Sequence, residues 1–156
     1  LSEAIFNAAR ILLVGRMLQD EDALLDAFPP TFPVWSKRPM LPLMRRTFRM
    51  LAKKYGEPGV SDKDQLQRLE NCLLQVRRQL DGKPYLLDRG FCYADMTVIA
   101  ALAMVQPVRR DPQLPMTPYE RASTCAELVE PFADVFAWRD GVVLHHRHRS
   151  YLGNAV

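Results

Sequence analysis

The sequence has no hydrophobic run long enough to cross a membrane. Its longest apolar stretch covers residues 96–105 and is interrupted by Thr97, whereas a transmembrane helix needs about 20 apolar residues. The beginning also lacks the basic start and apolar centre of a signal peptide. We therefore expect no membrane partner and a cytoplasmic location.

Cysteine is scarce, with only Cys72, Cys92 and Cys125 in the chain. The count is odd and no C-x-x-C pair is present, whereas secreted disulfide frameworks use even and denser sets. This composition indicates reduced thiols in a cytosolic protein. Cys92 and Cys125 could be redox-active thiols, because a cysteine at a helix N-terminus, as expected for Cys92, has a lowered pKa where it is accessible.

No compositional extreme sets the chain apart from ordinary globular domains. Of its 156 residues, 48% are hydrophobic and 25% are charged, and the net charge is +3. These values exclude overall disorder and a collagen-like fibre, and the charge is too small for a nucleic-acid partner. We expect one domain over residues 1–156. Because the first residue is Leu, we expect a processed chain or a piece of a longer product.

The hydrophobic spacing predicts helices and no strands. A first helix covers residues 2–18 with Ser2 as its N-cap, and an acidic stretch starts a short helix that ends near Phe28. Five prolines between residues 29 and 42 predict a loop. A further helix over residues 43–55 is predicted to end at Gly56, Pro58 and Gly59.

The second half of the chain continues the helical pattern. Capping boxes begin helices at Ser61 and Thr117, and Asp81 with Gly82 ends the first of these. Residues 96–106 form a helix that is apolar on nearly every side, which predicts burial among other helices. A last helix covers residues 131–149, with a break at Gly141 left open.

The segment before the apolar helix carries dense capping chemistry. Cys92 stands at the N-cap and Asp95 at N3, from where its carboxylate can accept the Cys92 backbone N–H. Phe91 and Met96 have the spacing of a hydrophobic staple. A buried helix has to satisfy its first N–H groups locally, because water cannot reach them.

This segment resembles the helical C-terminal domain of the glutathione transferase superfamily, where it typically reads P-Y-L-x-G-D-x-F-[ST]-x-A-D-[ILM]. The matching residues are Pro84, Tyr85, Leu86, Phe91, Ala94, Asp95 and Met96. The resemblance covers most of the chain, including Trp138, Arg139 and Asp140, and looks closest to bacterial members with a basic insertion after the first helix. It implies an all-α bundle around a buried central helix.

Two departures from that pattern concern the capping segment. The Gly-Asp pair is replaced by Asp88 and Arg89, with the glycine displaced to Gly90, and Cys92 replaces the Ser or Thr cap. A thiol is a weak acceptor, so the Asp95 half of the box is the stronger one. Neither change touches catalysis directly, because the resemblance gives the motif a structural role. The resemblance also implies that Cys92 is buried, and since buried thiols are inert we favour a structural role for Cys92 and Cys125 over a redox-active one.

The resemblance also implies what this chain lacks. A thioredoxin-like N-terminal domain, absent from these residues, would bind glutathione as co-substrate and supply the activating Tyr, Ser or Cys. The chain itself would hold no catalytic residue, cofactor or metal, and would form one wall of a pocket for a small apolar electrophile. Its other partner would be a second copy, since family members commonly form homodimers.

The first helix is the part that the resemblance assigns to the electrophile wall. Arg10, Leu13 and Met17 lie at i, i+3 and i+7 beside its inner stripe and are the candidate substrate contacts. The alternative for Leu13 and Met17 is a place in the core.

Two basic regions offer further candidate sites. Residues 29–56 contain seven Lys and Arg and no acidic residue. This pattern indicates either a patch that binds anions or nucleic acid or, as we favour, a solvated helix face. His145, His146 and His148 suggest a metal site. His145 and His148 share a helix face, but two imidazoles need a third ligand, and no acidic residue lies nearby in sequence. We favour stabilisation of a helix C-terminus instead.

Two functions remain open from the sequence. One is the electrophile-site domain of a glutathione transferase. The other is a non-catalytic interaction module, because similar helical domains are appended to translation elongation factors and aminoacyl-tRNA synthetases. What precedes Leu1 in the native protein discriminates between them, as does retention of the full-length protein on immobilised glutathione.

Overall fold

The computed structural model describes residues 1–56, 60–109 and 113–152, the last helix by its backbone alone after residue 146. These ranges contain helices and no strand, so the all-α prediction is confirmed. In chain order the helices are α1 Ser2–Gln19, α2 Glu21–Asp26, α3 Val34–Tyr55, α4 Asp62–Leu80, α5 Tyr93–Val105, α6 Pro118–Ser123, α7 Ala126–Val129 and α8 Ala133–Leu152. None of the described helices has the length and apolar character that crossing a bilayer requires.

Helix α1 organises the packing, because it contacts α3, α4 and α5. Its stripe of Ile5, Ala8, Ala9 and Leu12 is buried, as its spacing predicts. This stripe belongs to the main core, to which α4, α5, α7 and α8 also contribute. A second cluster, with Met17, Ala23, Leu24 and Leu41 at its centre, joins α1, α2 and α3.

Most predicted helix ends are confirmed. Ser61 and Asp64 form the capping box of α4, with the Ser61 N–H donating to Asp64 Oδ2 at 2.9 Å. Thr117 and Glu120 form the corresponding box of α6. The prediction for Ser2 is wrong by one residue: Leu1 is the N-cap, and Ser2 already has helical backbone.

The loop predicted for residues 29–42 is wrong in its second half. Helix α3 begins at Val34 and continues through Pro39 and Pro42. A proline inside a helix removes one N–H donor and frees the carbonyl four residues earlier. Both prolines lie on the exposed side of α3, where water can solvate the freed carbonyls, so the helix continues.

The complete burial expected of α5 is also corrected. One side of α5 is buried by Val98, Ala101, Leu102 and Val105. On the opposite side Met96 is 54% exposed and Ala100 is exposed. The apolar sequence therefore serves two surfaces, one packed in the core and one open. Helix α8 passes Gly141 without a break.

Candidate functional site

Asp95 links the turn before α5 to the start of that helix. Its carboxylate is completely buried. Oδ2 accepts the Cys92 backbone N–H at 2.9 Å, as the capping-box spacing predicts. Oδ1 accepts the Leu86 backbone N–H at 2.8 Å, a contact that the spacing did not reveal. One side chain thus satisfies two N–H groups and fixes the path of residues 86–95.

The other end of α5 is held by residues from distant parts of the chain. The Arg139 guanidinium is 1% exposed and donates to the carbonyls of Leu102 at 3.3 Å and Gln106 at 2.5 Å. The Cys125 N–H donates to the Val105 carbonyl at 2.8 Å. Burial lowers the pKa of Arg139. These contacts satisfy carbonyls that a helix C-terminus leaves free.

The sequence pattern predicted no contact for Arg139, which was named only as part of the resemblance. Its one signal is spacing: it stands four residues after Val135 and three before Val142, and both of these are buried. A charged residue on the buried stripe of a helix requires partners. The preceding Trp138 donates its Nε1–H to the Pro84 carbonyl at 2.9 Å, so α8 also holds the turn before α5.

An apolar groove of about 380 Å³ lies between α5 and α8. At its end the His146 ring stacks on the Phe91 ring with centroids 3.8 Å apart, and the Tyr85 ring lies 6.0 Å from that of Phe91. His146 Nε2 is buried and has no hydrogen-bond partner in the part of the chain that the structure describes. The groove is lined by Phe91, Met96, Ile99, Ala100, Ala103, Val142, Val143 and His146.

Both members of the predicted staple, Phe91 and Met96, line that groove. Their side chains are 37% and 54% exposed, so they form part of an open apolar surface.

A second groove, of about 310 Å³, lies between the start of α1 and the middle of α5. Arg10 is its cation: the guanidinium carbon lies 4.2 Å from the Tyr55 ring centroid and 4.6 Å from that of Phe6. Arg10 Nη2 donates to Asn7 Oδ1 at 2.8 Å, and Nε is buried without a hydrogen-bond partner among the described residues. The groove is lined by Ser2, Glu3, Phe6, Asn7, Arg10, Thr97, Ala100 and Ala101.

The structure separates the three candidate substrate contacts on α1. Arg10 lies in the groove between α1 and α5. Met17 has no exposed surface and belongs to the second cluster, against which the partly buried Leu13 also packs. This placement corresponds to the core alternative for Met17, because a fully buried side chain offers no surface to a ligand. The role of Arg10 stays a prediction.

The remaining candidates are the histidines of α8 and the three cysteines. No group of three or more His, Cys, Asp or Glu among the described residues is positioned to hold a metal ion, and the side chain of His148 lies outside them. Burial raises the pKa of the Cys125 and Cys72 thiols, which keeps them protonated and weakly nucleophilic. The three cysteines are free thiols. Cys125 is buried, but Cys92 is only partly buried, so the burial expected of Cys92 is wrong.

Comparisons with known proteins add no relative to this picture. No protein-family model, curated protein or solved structure matches the chain.

Proposed function

We propose that this chain is the electrophile-site domain of a glutathione transferase-like protein that conjugates glutathione to small apolar electrophiles. The observation that carries the proposal is the arrangement at Asp95. Within the segment that resembles the family, its buried carboxylate binds the N–H groups of Leu86 and Cys92. The residues that carry the resemblance thus perform the capping that a buried helix start requires.

The groove between α1 and α5 is the place we assign to the electrophile. It combines apolar walls from Phe6, Ala100 and Ala101 with one cation, Arg10. With a chlorinated aromatic electrophile, the glutathione thiolate sulfur forms a bond to the ring carbon that carries chlorine. The ring then carries the negative charge until the carbon–chlorine bond breaks and chloride leaves. The Arg10 side chain is only partly buried and lines the groove, so its guanidinium can stabilise a group on which that charge develops.

The open side of α5 supports a second domain as the partner. Exposed apolar patches of this kind commonly mark interaction surfaces. In this proposal the thioredoxin-like domain covers the α1–α5 surface and completes the pocket, and the thiolate is activated there and not by residues of this chain. A homodimer and a cytoplasmic location belong to the same proposal.

The test uses the full-length protein as its host makes it. An intact mass about 9 kDa above the 17.9 kDa of this chain fits an added domain of about 80 residues. Conjugation of glutathione to 1-chloro-2,4-dinitrobenzene is then measured. We expect Arg10→Gln to lower kcat/KM about tenfold through lost charge stabilisation. Arg78→Gln, on the exposed side of α4, serves as the matched control and should leave it unchanged.

The alternative is a non-catalytic interaction module, and the groove between α5 and α8 favours it. Its lining is almost wholly apolar, with His146 as the polar exception, as suits an apolar partner segment. A native mass near that of this chain, or an intact protein without conjugating activity that is not retained on immobilised glutathione, would select the module and reject the transferase.

A further inference from the structure

The outward side of α3 combines cations with large exposed apolar side chains. Helix α3 contains seven Lys and Arg and no acidic residue. Its inner side packs Leu41, Met44 and Phe48 into the second cluster. What remains outside, called here the outer face of α3, is formed by Val34, Trp35, Arg38, Leu43, Arg46, Arg49, Met50 and Lys53, all of which are exposed.

The apolar members of this face are unusually exposed for their size. Val34 and Trp35 are 82% and 80% exposed, and Leu43 and Met50 are 60% and 62% exposed. Trp35, Leu43 and Met50 recur every seven or eight residues, which places them on one side of a helix. Leu43 and Met50 share a groove of about 550 Å³ with Arg46, Thr47, Arg49 and Lys53.

The carboxylates nearest in sequence neutralise little of this charge. Glu21 pairs with Arg45 at 2.7 Å. Asp20 caps α2 by accepting the Ala23 N–H, and Asp26 accepts the Tyr119 N–H. Within the described residues, no carboxylate forms an ion pair with Arg38, Arg46, Arg49 or Lys53. The face therefore stays electropositive and is complementary to an anionic surface.

We propose that the outer face of α3 docks on the anionic surface of a lipid bilayer. Interfacial helices place Trp and Leu at the headgroup boundary, while Lys and Arg reach anionic headgroups. Long basic side chains allow both at once, because their stems lie along apolar surface and their charges reach outward. The helix would lie in the interface, which does not require a membrane-spanning segment. The proposal therefore replaces the expectation of no membrane partner, which rested on the missing membrane-spanning segment.

The same features argue against a nucleic acid as the partner. Single-stranded nucleic acids bind through aromatic side chains on which successive bases stack. Trp35 is the one aromatic residue on this face, because Phe48 packs inward and the Tyr55 ring is covered by Arg10. Leu43 and Met50 would gain nothing from a phosphate backbone. This inference does not depend on the proposed conjugation activity.

The experiment measures flotation of the full-length protein with vesicles of phosphatidylcholine alone or with added phosphatidylserine. We expect binding only to the anionic vesicles, with partition falling as salt rises. The triple variant Arg46→Gln/Arg49→Gln/Lys53→Gln should bind about 100-fold more weakly, at about fivefold for each charge. The control Lys63→Gln/Arg78→Gln/Arg89→Gln removes the same charge from exposed positions elsewhere and should keep most of the binding.

Trp35→Ser tests the apolar part and should weaken binding to anionic vesicles about tenfold. The proposal is overturned if the protein floats with neither vesicle, or if both triple variants lose binding equally. Binding to an oligonucleotide without binding to anionic vesicles would also overturn it. Retained binding in Trp35→Ser would reject insertion at the headgroup boundary. Circular dichroism of each variant establishes that it is folded.

Discussion

The free backbone groups at the two ends of α5 are satisfied by side chains of opposite charge. One of these side chains is close in sequence to its partner, and the other is far from it. At the N-terminus Asp95 lies three residues from the N–H of Cys92 that it accepts. At the C-terminus Arg139 lies 33 residues from the Gln106 carbonyl to which it donates. Both signs complement the helix dipole. The comparison shows that one end of a buried helix can be encoded locally while the other depends on the fold.

The largest expected loss of stability follows from replacing Asp95, the acceptor at the start of α5. Asp95→Ala leaves the buried N–H groups of Leu86 and Cys92 without an acceptor, and we expect a loss of about 3 kcal/mol in the free energy of unfolding. Urea denaturation followed by circular dichroism measures this. Asp95→Asn keeps one acceptor oxygen and should lose less than half as much. Equal losses in the two variants would show that the contribution of Asp95 to stability depends on its charge and not on the number of acceptor oxygens.

Replacing Arg139, the donor at the end of α5, should lower the free energy of unfolding by less. Arg139→Met keeps most of the side-chain volume but leaves the Gln106 carbonyl without its donor, and we expect a loss of about 2 kcal/mol. The Leu102 carbonyl still accepts the Gln106 N–H, which limits the damage. The control is Arg78→Met, which makes the same kind of change at an exposed position of α4 and should matter by less than about 0.5 kcal/mol. A loss greater than that of Asp95→Ala would show that Arg139 contributes more to stability than Asp95.

The smallest effect concerns an exposed contact between distant helices. Arg77 on α4 lies 2.5 Å from Asp134 on α8, and its hydrogen bond lowers the pKa of the Asp134 carboxyl. A lowered pKa means that the pair stabilises the fold above about pH 4 and that this stability is lost as the pH falls through the lowered value. Because Asp134 is 57% exposed, we expect Asp134→Asn to lose only about 0.5 kcal/mol at neutral pH.

The measurement is a series of urea midpoints between neutral and acid pH. The difference between the original protein and Asp134→Asn should shrink as the pH falls below about 4. A difference that stays constant with pH would show that packing, and not the ion pair, accounts for it.

Helices with local end signals were predictable, and those without were not. Ser61, Asp64, Thr117 and Glu120 form the expected capping boxes, since the partners lie three residues apart. The course of α3 was not predictable, because the effect of Pro39 depends on whether the freed carbonyl meets water or protein.

In the candidate site, too, some contacts were predictable from the sequence and others were not. The contact between Asp95 and Cys92 follows from spacing, but the distance from Asp95 to Leu86 depends on how the intervening turn folds. Spacing also grouped Arg10 with Met17. Only the position of α2 and α3 shows that Met17 is buried.

By itself the sequence determined the helical class, most helix ends and the acceptor at the start of α5, because periodicity and capping act over a few residues. The tertiary structure alone decided which side of α5 is open, where Arg139 donates, and which cations of α3 have no carboxylate partner among the described residues. These features join residues far apart in the chain, and their energies depend on burial, which no local pattern specifies.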